Sequence, residues 1–389
     1  MLCLTETTSW GILFFAFPVL AVSISRDTGW SLPVITAAFS AGQLVSGVVG
    51  IPVGRTLDRI GPRVVMTAGS VLGVVALPVV ALAPNLAVFC AGWVLAGAAM
   101  GAVLYPPAFA ALTRWWGEER LKALMIVTLA SGLASTVFAP LTAALNEHGD
   151  WRTTYLVLAV VLAVVTVPAH WFGLRGRWPH PPAPIHEALA DYARIAHSRA
   201  FLLLVVTLCL GTFTTGAGVF NLVPLLEERG FSPTLAALAL ALGGAGQVLG
   251  RVGYLPVATR SSVRSRTVVV LVVTAAASAL LGVVDGVIAL IAAAVGAGLV
   301  RGVYTLVLAT AITERWGATH YGRLNGLLSA PVVIVMALAP WAGTALSVWT
   351  GSYARAYLVL AAAALLAVLT GLAAGRPEAI LSEATIRQR

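Results

Sequence analysis

Apolar residues fill the chain in long blocks, separated by short stretches rich in charge, glycine and proline. The blocks fall near 8–25, 31–54, 63–82, 86–112, 123–145 and 152–174, and a second series near 200–226, 232–256, 267–284, 286–312, 322–348 and 353–375. Each can cross a hydrocarbon layer with some tilt, since a spanning helix needs about 20 residues. They lack the period-two alternation of barrel strands, and backbone in lipid must satisfy its own polar groups. The pattern predicts an all-α membrane protein of twelve transmembrane helices.

Composition agrees. The 389 residues are 59% hydrophobic and 10% charged, with a mean hydropathy of +0.93, which excludes a water-soluble globular domain. Cys3, Cys90 and Cys209 are too few and too scattered for a disulfide framework or a thiolate metal site. The first block opens near Ser9 with no basic segment before it and no small-residue cleavage site after it, and reads as a retained helix.

The formal charge of +9 does not point to nucleic acid, because the basic residues sit in loops. Alternate loops differ sharply: eighteen Arg or Lys fall in one set, including Arg55, Arg59, Arg63, Arg114 and Arg120, against Arg26, Arg152, Arg229 and Arg355 in the other. Cytoplasmic loops are enriched in Lys and Arg, so a multi-pass protein of the cell membrane is expected, with both termini cytoplasmic.

The two series repeat each other. Ala41-Gly42-Gln43 with Pro52-Val53 recurs as Ala245-Gly246-Gln247 with Pro256-Val257, at an offset of 204. Leu112-Thr113-Arg114-Trp115-Trp116-Gly117 recurs as Ile312-Thr313-Glu314-Arg315-Trp316-Gly317, and Ala139-Pro140 as Ala339-Pro340, at an offset of 200. The expected organisation is two pseudo-symmetric six-helix bundles, 1–174 and 200–376, joined by a cytoplasmic linker over 175–199 and followed by a tail over 377–389. Within the linker, Ile185, Leu189, Tyr192 and Ile195 recur at helical spacing with charges between, as in a short helix lying on the inner leaflet or in a solvated loop.

Between the second and third blocks runs Gly54-Arg55-Thr56-Leu57-Asp58-Arg59-Ile60-Gly61-Pro62-Arg63. It resembles the G-x-L-x-D-R-x-G-R-K signature of the major facilitator superfamily, departing from it at Thr56, Leu57 and Pro62. The resemblance implies a gating role for Gly54, Asp58, Arg59 and Gly61. Glycine permits a tight turn, and Asp58 can bond basic side chains or a helix N-terminus to brace one transport state. The alternative is a turn that only fixes topology. Ser9-Trp10-Gly11, Gly61-Pro62-Arg63-Val64-Val65-Met66, Arg114-Trp115-Trp116 and Asp150-Trp151-Arg152 are similar to the monocarboxylate transporter branch and its oxalate/formate relatives. That branch places a substrate-binding arginine where Arg251 stands. The chain departs from it in having Lys122 as its sole lysine and Gln247 where an acid is common.

Two arginines, Arg251 and Arg301, fall inside predicted helices. Each costs at least about 2.5–3.5 kcal/mol in lipid, so each needs a partner or a wet cavity. The repeat maps them onto Gly47 and Gly101. All fifteen carboxylates, Glu6 included, fall in loops, tails or helix ends by this reading. Cationic side chains without a protein anion favour an anionic solute; the alternative is that they bond backbone carbonyls or Gln247 and hold helices together. Gln247 lies one turn from Arg251, and Tyr304 three residues from Arg301, so each pair shares a face. Tyr105, Asn221 and Gln43 complete the candidate substrate-binding set, each with the alternative of an interhelical contact. His170 reads as interfacial.

The expected function is secondary active or facilitative transport of a small organic anion, a carboxylate, by alternating access. The protein would act as a monomer, without cofactor or metal. An exporter of hydrophobic neutral drugs or metabolites is one alternative. A transporter-like membrane receptor is another, though it would need an output domain. A membrane enzyme is not expected, because no nucleophile, base or metal cluster converges at one depth.

Overall fold

Twelve helices long and apolar enough to cross a membrane are present among the described residues of the computed structural model, which describes residues 1–116, 119–178, 194–316 and 321–374. We number them α1 (Leu2–Thr28), α2 (Leu32–Ile60), α3 (Pro62–Ala81), α4 (Leu86–Trp116), α5 (Lys122–His148), α6 (Trp151–Gly173), α7 (Arg199–Glu228), α8 (Pro233–Val252), α9 (Val263–Val283), α10 (Val287–Thr310), α11 (Gly326–Thr350) and α12 (Tyr353–Ala373). The apolar blocks locate every one of them, and the differences lie at the ends. α1 begins at Leu2, because its first turn packs through Leu2 against Met66, Leu112 and Ala123 instead of leading in as a tail. α8 stops at Val252, and a separate short helix, Tyr254–Arg260, follows.

Local chemistry sets the boundaries. Asn85, Asp150, Ser198, Ser232, Ser262 and Ser352 each accept a bond from a backbone N–H of the following turn, which satisfies donors that an N-terminus leaves free. Gly61 turns the chain from α2 into α3 at φ +82°, a conformation that suits glycine.

Within the first half α4 packs against α2 and α3, and α3 against α6; within the second, α10 packs against α8, and α12 against α7 and α9. The halves meet where α2 lies on α11 and α5 on α8. The first half has an aromatic core, with Phe17, Phe39, Phe89, Trp93 and Tyr155 all fully buried. The second is built mainly from Ala, Leu and Val. Most of the expected linker helix (179–193) and the tail (377–389) lie outside the described residues.

Candidate functional site

Between the halves lies a cavity of about 160 Å³. One wall comes from α1, α4 and α5 through Trp10, Phe14, Phe15, Tyr105, Ser131 and Gly132. The other comes from α7, α8 and α10, with Thr212, Phe220, Gln247, Arg251, Arg301, Tyr304 and Thr305, and Met336 of α11 closes one side. Five of the seven predicted substrate-binding residues therefore share one space: Arg301, Arg251, Gln247, Tyr304 and Tyr105.

Their bonding is uneven. Arg301 donates from Nη2 to Gln247 Oε1 at 2.9 Å, while its Nε is buried without an acceptor. Arg251 reaches across the half-to-half boundary and donates from Nη1 to the Thr128 carbonyl, and from Nε to Thr305 Oγ1 at 3.4 Å. A guanidinium has five N–H donors, so both keep donors for a ligand. Tyr304 OH donates to the Leu208 carbonyl at 2.6 Å and accepts from Thr212 Oγ1 at 3.0 Å, and Tyr105 OH lies 2.6 Å from Ser131 Oγ. Among the described residues, the cavity wall carries no Asp or Glu. Arg301 also lines a smaller cavity of about 40 Å³ inside the second half, beside Thr214, Thr215, Thr274 and Ser278.

Asn221 and Gln43 are not brought to the central cavity. Asn221 is buried between α7 and α11, donating to the Ala217 carbonyl at 2.8 Å and accepting from Thr344 Oγ1 at 2.9 Å. Gln43 spends its amide on Met100 Sδ at 3.3 Å, at the contact of α2 with α4. Both are interhelical contacts, because their helix faces turn to a neighbouring helix instead of the opening.

Two further expectations are corrected. Glu6 is fully buried inside α1, and neither carboxyl oxygen has a hydrogen-bond partner, because α1 starts at Leu2 and carries Glu6 in with it. His170 is buried as well, its Nδ1 lying 2.8 Å from Ser70 Oγ where α6 packs on α3.

The two ends of the molecule differ. At the end rich in arginine, Asp58 pairs with Arg114 at 2.5 Å, and the Asp58 carbonyl accepts from Trp178 Nε1 at 3.1 Å. Arg114 belongs to the first half and Trp178 to the start of the linker, so the segment fastens α2 to α4 and to the linker. Arg59 and Gly54 are exposed. A counterpart that the sequence reading missed fastens the second half, where Arg266 pairs with Glu314 behind the ring of Tyr254. Burial pushes the Tyr254 hydroxyl up and brings the neighbouring Arg315 guanidinium down to about 10. At the opposite end two side-chain bonds cross between halves, Arg26 to Glu227 at 3.1 Å and Thr234 to Glu147 at 3.0 Å; deeper in, Trp341 N–H donates to Ser40 Oγ at 3.3 Å and Thr136 Oγ1 to the Ala241 carbonyl at 2.9 Å, besides the bond from Arg251 to Thr128. The aromatic wall was also missed, although Trp10 and Phe14 stand at the i, i+4 spacing that puts them on one face.

Comparison with known proteins follows this geometry. The chain is 26% identical to monocarboxylate transporter 13 of Rattus norvegicus over 377 residues, 86% of this chain and 87% of that one. It is 28% identical over 203 residues to the uncharacterised MFS-type transporter YcxA of Bacillus subtilis, covering 50% of this chain and 48% of that one. It is 30% identical over 244 residues to human monocarboxylate transporter 11, covering 60% of this chain and 49% of that one. The chain thus spans about half the length of these last two relatives. In structure it is similar to a bacterial homologue of the human lysosomal transporter Spinster in an inward-facing, occupied conformation, with a TM-score of 0.74 at 13% identity over 96% of this chain and 95% of that one. It is also similar to the E. coli fucose:proton symporter, with a TM-score of 0.64 at 13% identity over 96% of this chain and 98% of that one. The Major Facilitator Superfamily model matches residues 2–260. This polytopic membrane protein belongs to the Major Facilitator Superfamily.

Proposed function

We propose that the protein carries a small organic anion, a carboxylate, by alternating access, with the halves 1–174 and 200–376 rocking about the central cavity. One observation carries this reading: Arg301 and Arg251 line that cavity, and no Asp or Glu among the described residues stands in its wall. Cations in a largely apolar space lack compensation until an anion arrives, and a carboxylate matches the guanidinium fork. The ion pair between halves, Arg26 with Glu227, lies at the end remote from the arginine-rich loops, and the cavity lies on the arginine-rich side of it. With those loops cytoplasmic, our reading is a monomer of the cell membrane, termini inside, held together at its outer end.

The test is uptake of labelled lactate and phenylacetate into proteoliposomes by Arg301→Gln and Arg251→Gln proteins that elute and melt like the parent. Losing a charge-assisted bond of about 1.5–3 kcal/mol predicts apparent affinity lower by about 10- to 100-fold. Parental transport by both variants would sink the reading. The aromatic wall favours a second reading, an exporter of neutral hydrophobic compounds, which predicts that both variants keep transporting a neutral aromatic solute.

A further inference from the structure

The cavity is charged on one side only. The guanidiniums of Arg301 and Arg251, with Gln247, Tyr304 and Thr305, lie on α8 and α10, whereas Trp10, Phe14, Phe15 and Phe220 supply rings from α1 and α7. These rings form one continuous array. Phe14 meets Trp10 edge to face at 4.9 Å between centroids, Phe220 at 4.8 Å and Phe15 at 5.2 Å, and Trp10 lies 4.9 Å from Tyr105. The Trp10 indole N–H is buried without an acceptor.

A two- or three-carbon acid would satisfy the guanidiniums and leave the rings untouched. The cavity, about 160 Å³, is close in size to an apolar one of about 150 Å³ that takes a benzene ring. Edge-to-face rings prefer a further ring to an alkyl chain, because the positive edge of one meets the negative face of the next.

Resting on the anion reading above, we propose that the cargo is an arylalkyl carboxylate: its carboxylate sits on Arg301 and Arg251, and its aromatic ring lies among Trp10, Phe14 and Phe220. Phe220 then sets specificity. It stands on α7 of the second half yet packs with Phe14 and Phe39 of the first, so the seat for the ring exists only while the halves are closed at the end held by Arg26 and Glu227.

The experiment is calorimetric titration of the full chain in lipid nanodiscs with acetate, hexanoate, phenylacetate, indole-3-acetate and 2-phenylethanol, repeated with the Phe220→Leu protein. Buried apolar area predicts that phenylacetate and indole-3-acetate bind about 30-fold or more tightly than acetate. Ring against ring predicts about threefold tighter binding than hexanoate, an advantage that Phe220→Leu removes. Acetate binding as tightly as phenylacetate would overturn the arylalkyl assignment and leave the anion reading intact. An undiminished preference of Phe220→Leu for phenylacetate over hexanoate overturns the assignment of the ring's seat. Should 2-phenylethanol match phenylacetate, it is the anion reading that fails.

Discussion

The two halves repeat one another in sequence and cross their helices alike, yet only the second carries charge into the cavity. In the first half Gly101 is the crossing residue of α4 on α2: a Cβ there would come within 2.7 Å of the Ser46 carbonyl, so no side chain fits. In the second half the residue at the crossing of α10 on α8 is Gly302, whose added Cβ would meet the Gln247 carbonyl and lie 3.1 Å from the Arg251 N–H nitrogen. Gly97 meets Gly42 as Gly298 meets Gly243, so the crossings correspond, and the counterparts of Arg301 and Arg251 are Met100 and Gly50, not Gly101 and Gly47. Positions 100 and 301 lie one residue, about 100° of helix rotation, from the crossing, where a long side chain fits. The first half places there a buried methionine that accepts from Gln43, the second an arginine bonded to Gln247 at the cavity, so the halves differ in side chain and not in register.

The sharpest way to break this comparison is to exchange the roles of neighbours on α10. Gly302→Leu forces a side chain against backbone and is expected to cost about 3 kcal/mol, seen as lost yield and a lowered melting temperature in detergent. Arg301→Ala, one residue away, is expected to melt like the parent, because it removes a buried charge facing a cavity. If Gly302→Leu folds normally, the crossing does not need its glycine and the two positions do not differ as described.

The second contrast is between the ties at the arginine-rich end. The repeat aligns Arg114 with Glu314, so the same position on the scaffold is basic in one half and acidic in the other, and its partner changes sign with it, from Asp58 to Arg266. The pairs differ in burial. The side chains of Arg266 and Glu314 are 3% and 26% exposed, those of Arg114 and Asp58 15% and 57%. Removing one partner of a buried pair leaves a stranded charge, so Glu314→Gln is expected to cost about 3 kcal/mol. Asp58→Asn, in water, is expected to cost about 1 kcal/mol or less. Chemical unfolding of the two variants side by side measures the difference, and equal costs would mean that burial does not separate the ties.

The fold was legible in the sequence because lipid imposes one strong rule, that a spanning backbone bonds to itself, and apolar length reports it directly. The intramembrane arginines were legible for the same reason: against an apolar background a charge is conspicuous, and Arg251 and Arg301 do meet at the cavity. Asn221, Gln43 and Glu6 were misplaced because a neutral or terminal polar residue gives no such signal. Whether it faces an opening or a neighbouring helix depends on rotation about the helix axis, which the internal repeat does not carry to the residue: it aligned Gly101 with Arg301, whereas at the helix crossing Gly101 corresponds to Gly302. The tie between Arg266 and Glu314 was hidden because its equivalent in the first half has the opposite polarity.

A smaller effect separates the last helix of each half. Asp150 caps α6 by accepting from Thr153 N–H at 2.6 Å, and Ser352 caps α12 by accepting from Arg355 N–H at 3.2 Å. Replacing either cap with alanine is expected to cost about 1 kcal/mol near neutral pH. The bonds from Thr153 hold the Asp150 carboxyl below the usual carboxylate range. Its contribution is therefore complete above the ordinary aspartate value and lost as pH falls through the lowered one, whereas the Ser352 cap does not titrate. Melting temperatures of Asp150→Asn and Ser352→Ala against pH test this. The Asp150→Asn protein should match the parent at neutral pH and lose the acid-dependent part of the melting curve contributed by this cap.

The weakest expected effect concerns the closure between halves. Arg26 is 67% exposed on its side chain and its partner Glu227 is 7% exposed, so the pair works partly in water and contributes about 0.5 kcal/mol. At that size Arg26→Ala moves the balance between closed and open outer ends by about twofold, too little to alter folding and enough to alter a population. Spin labels at Ser31→Cys and Pro233→Cys, one in each half at that end, read the change as a larger fraction of long distances once Cys3, Cys90 and Cys209 are replaced. A distribution unmoved by Arg26→Ala would assign the closure to the remaining contacts, Phe14 and Phe39 against Phe220 and Thr234 against Glu147. In that case the aromatic cluster that lines the cavity would also be what holds the halves together.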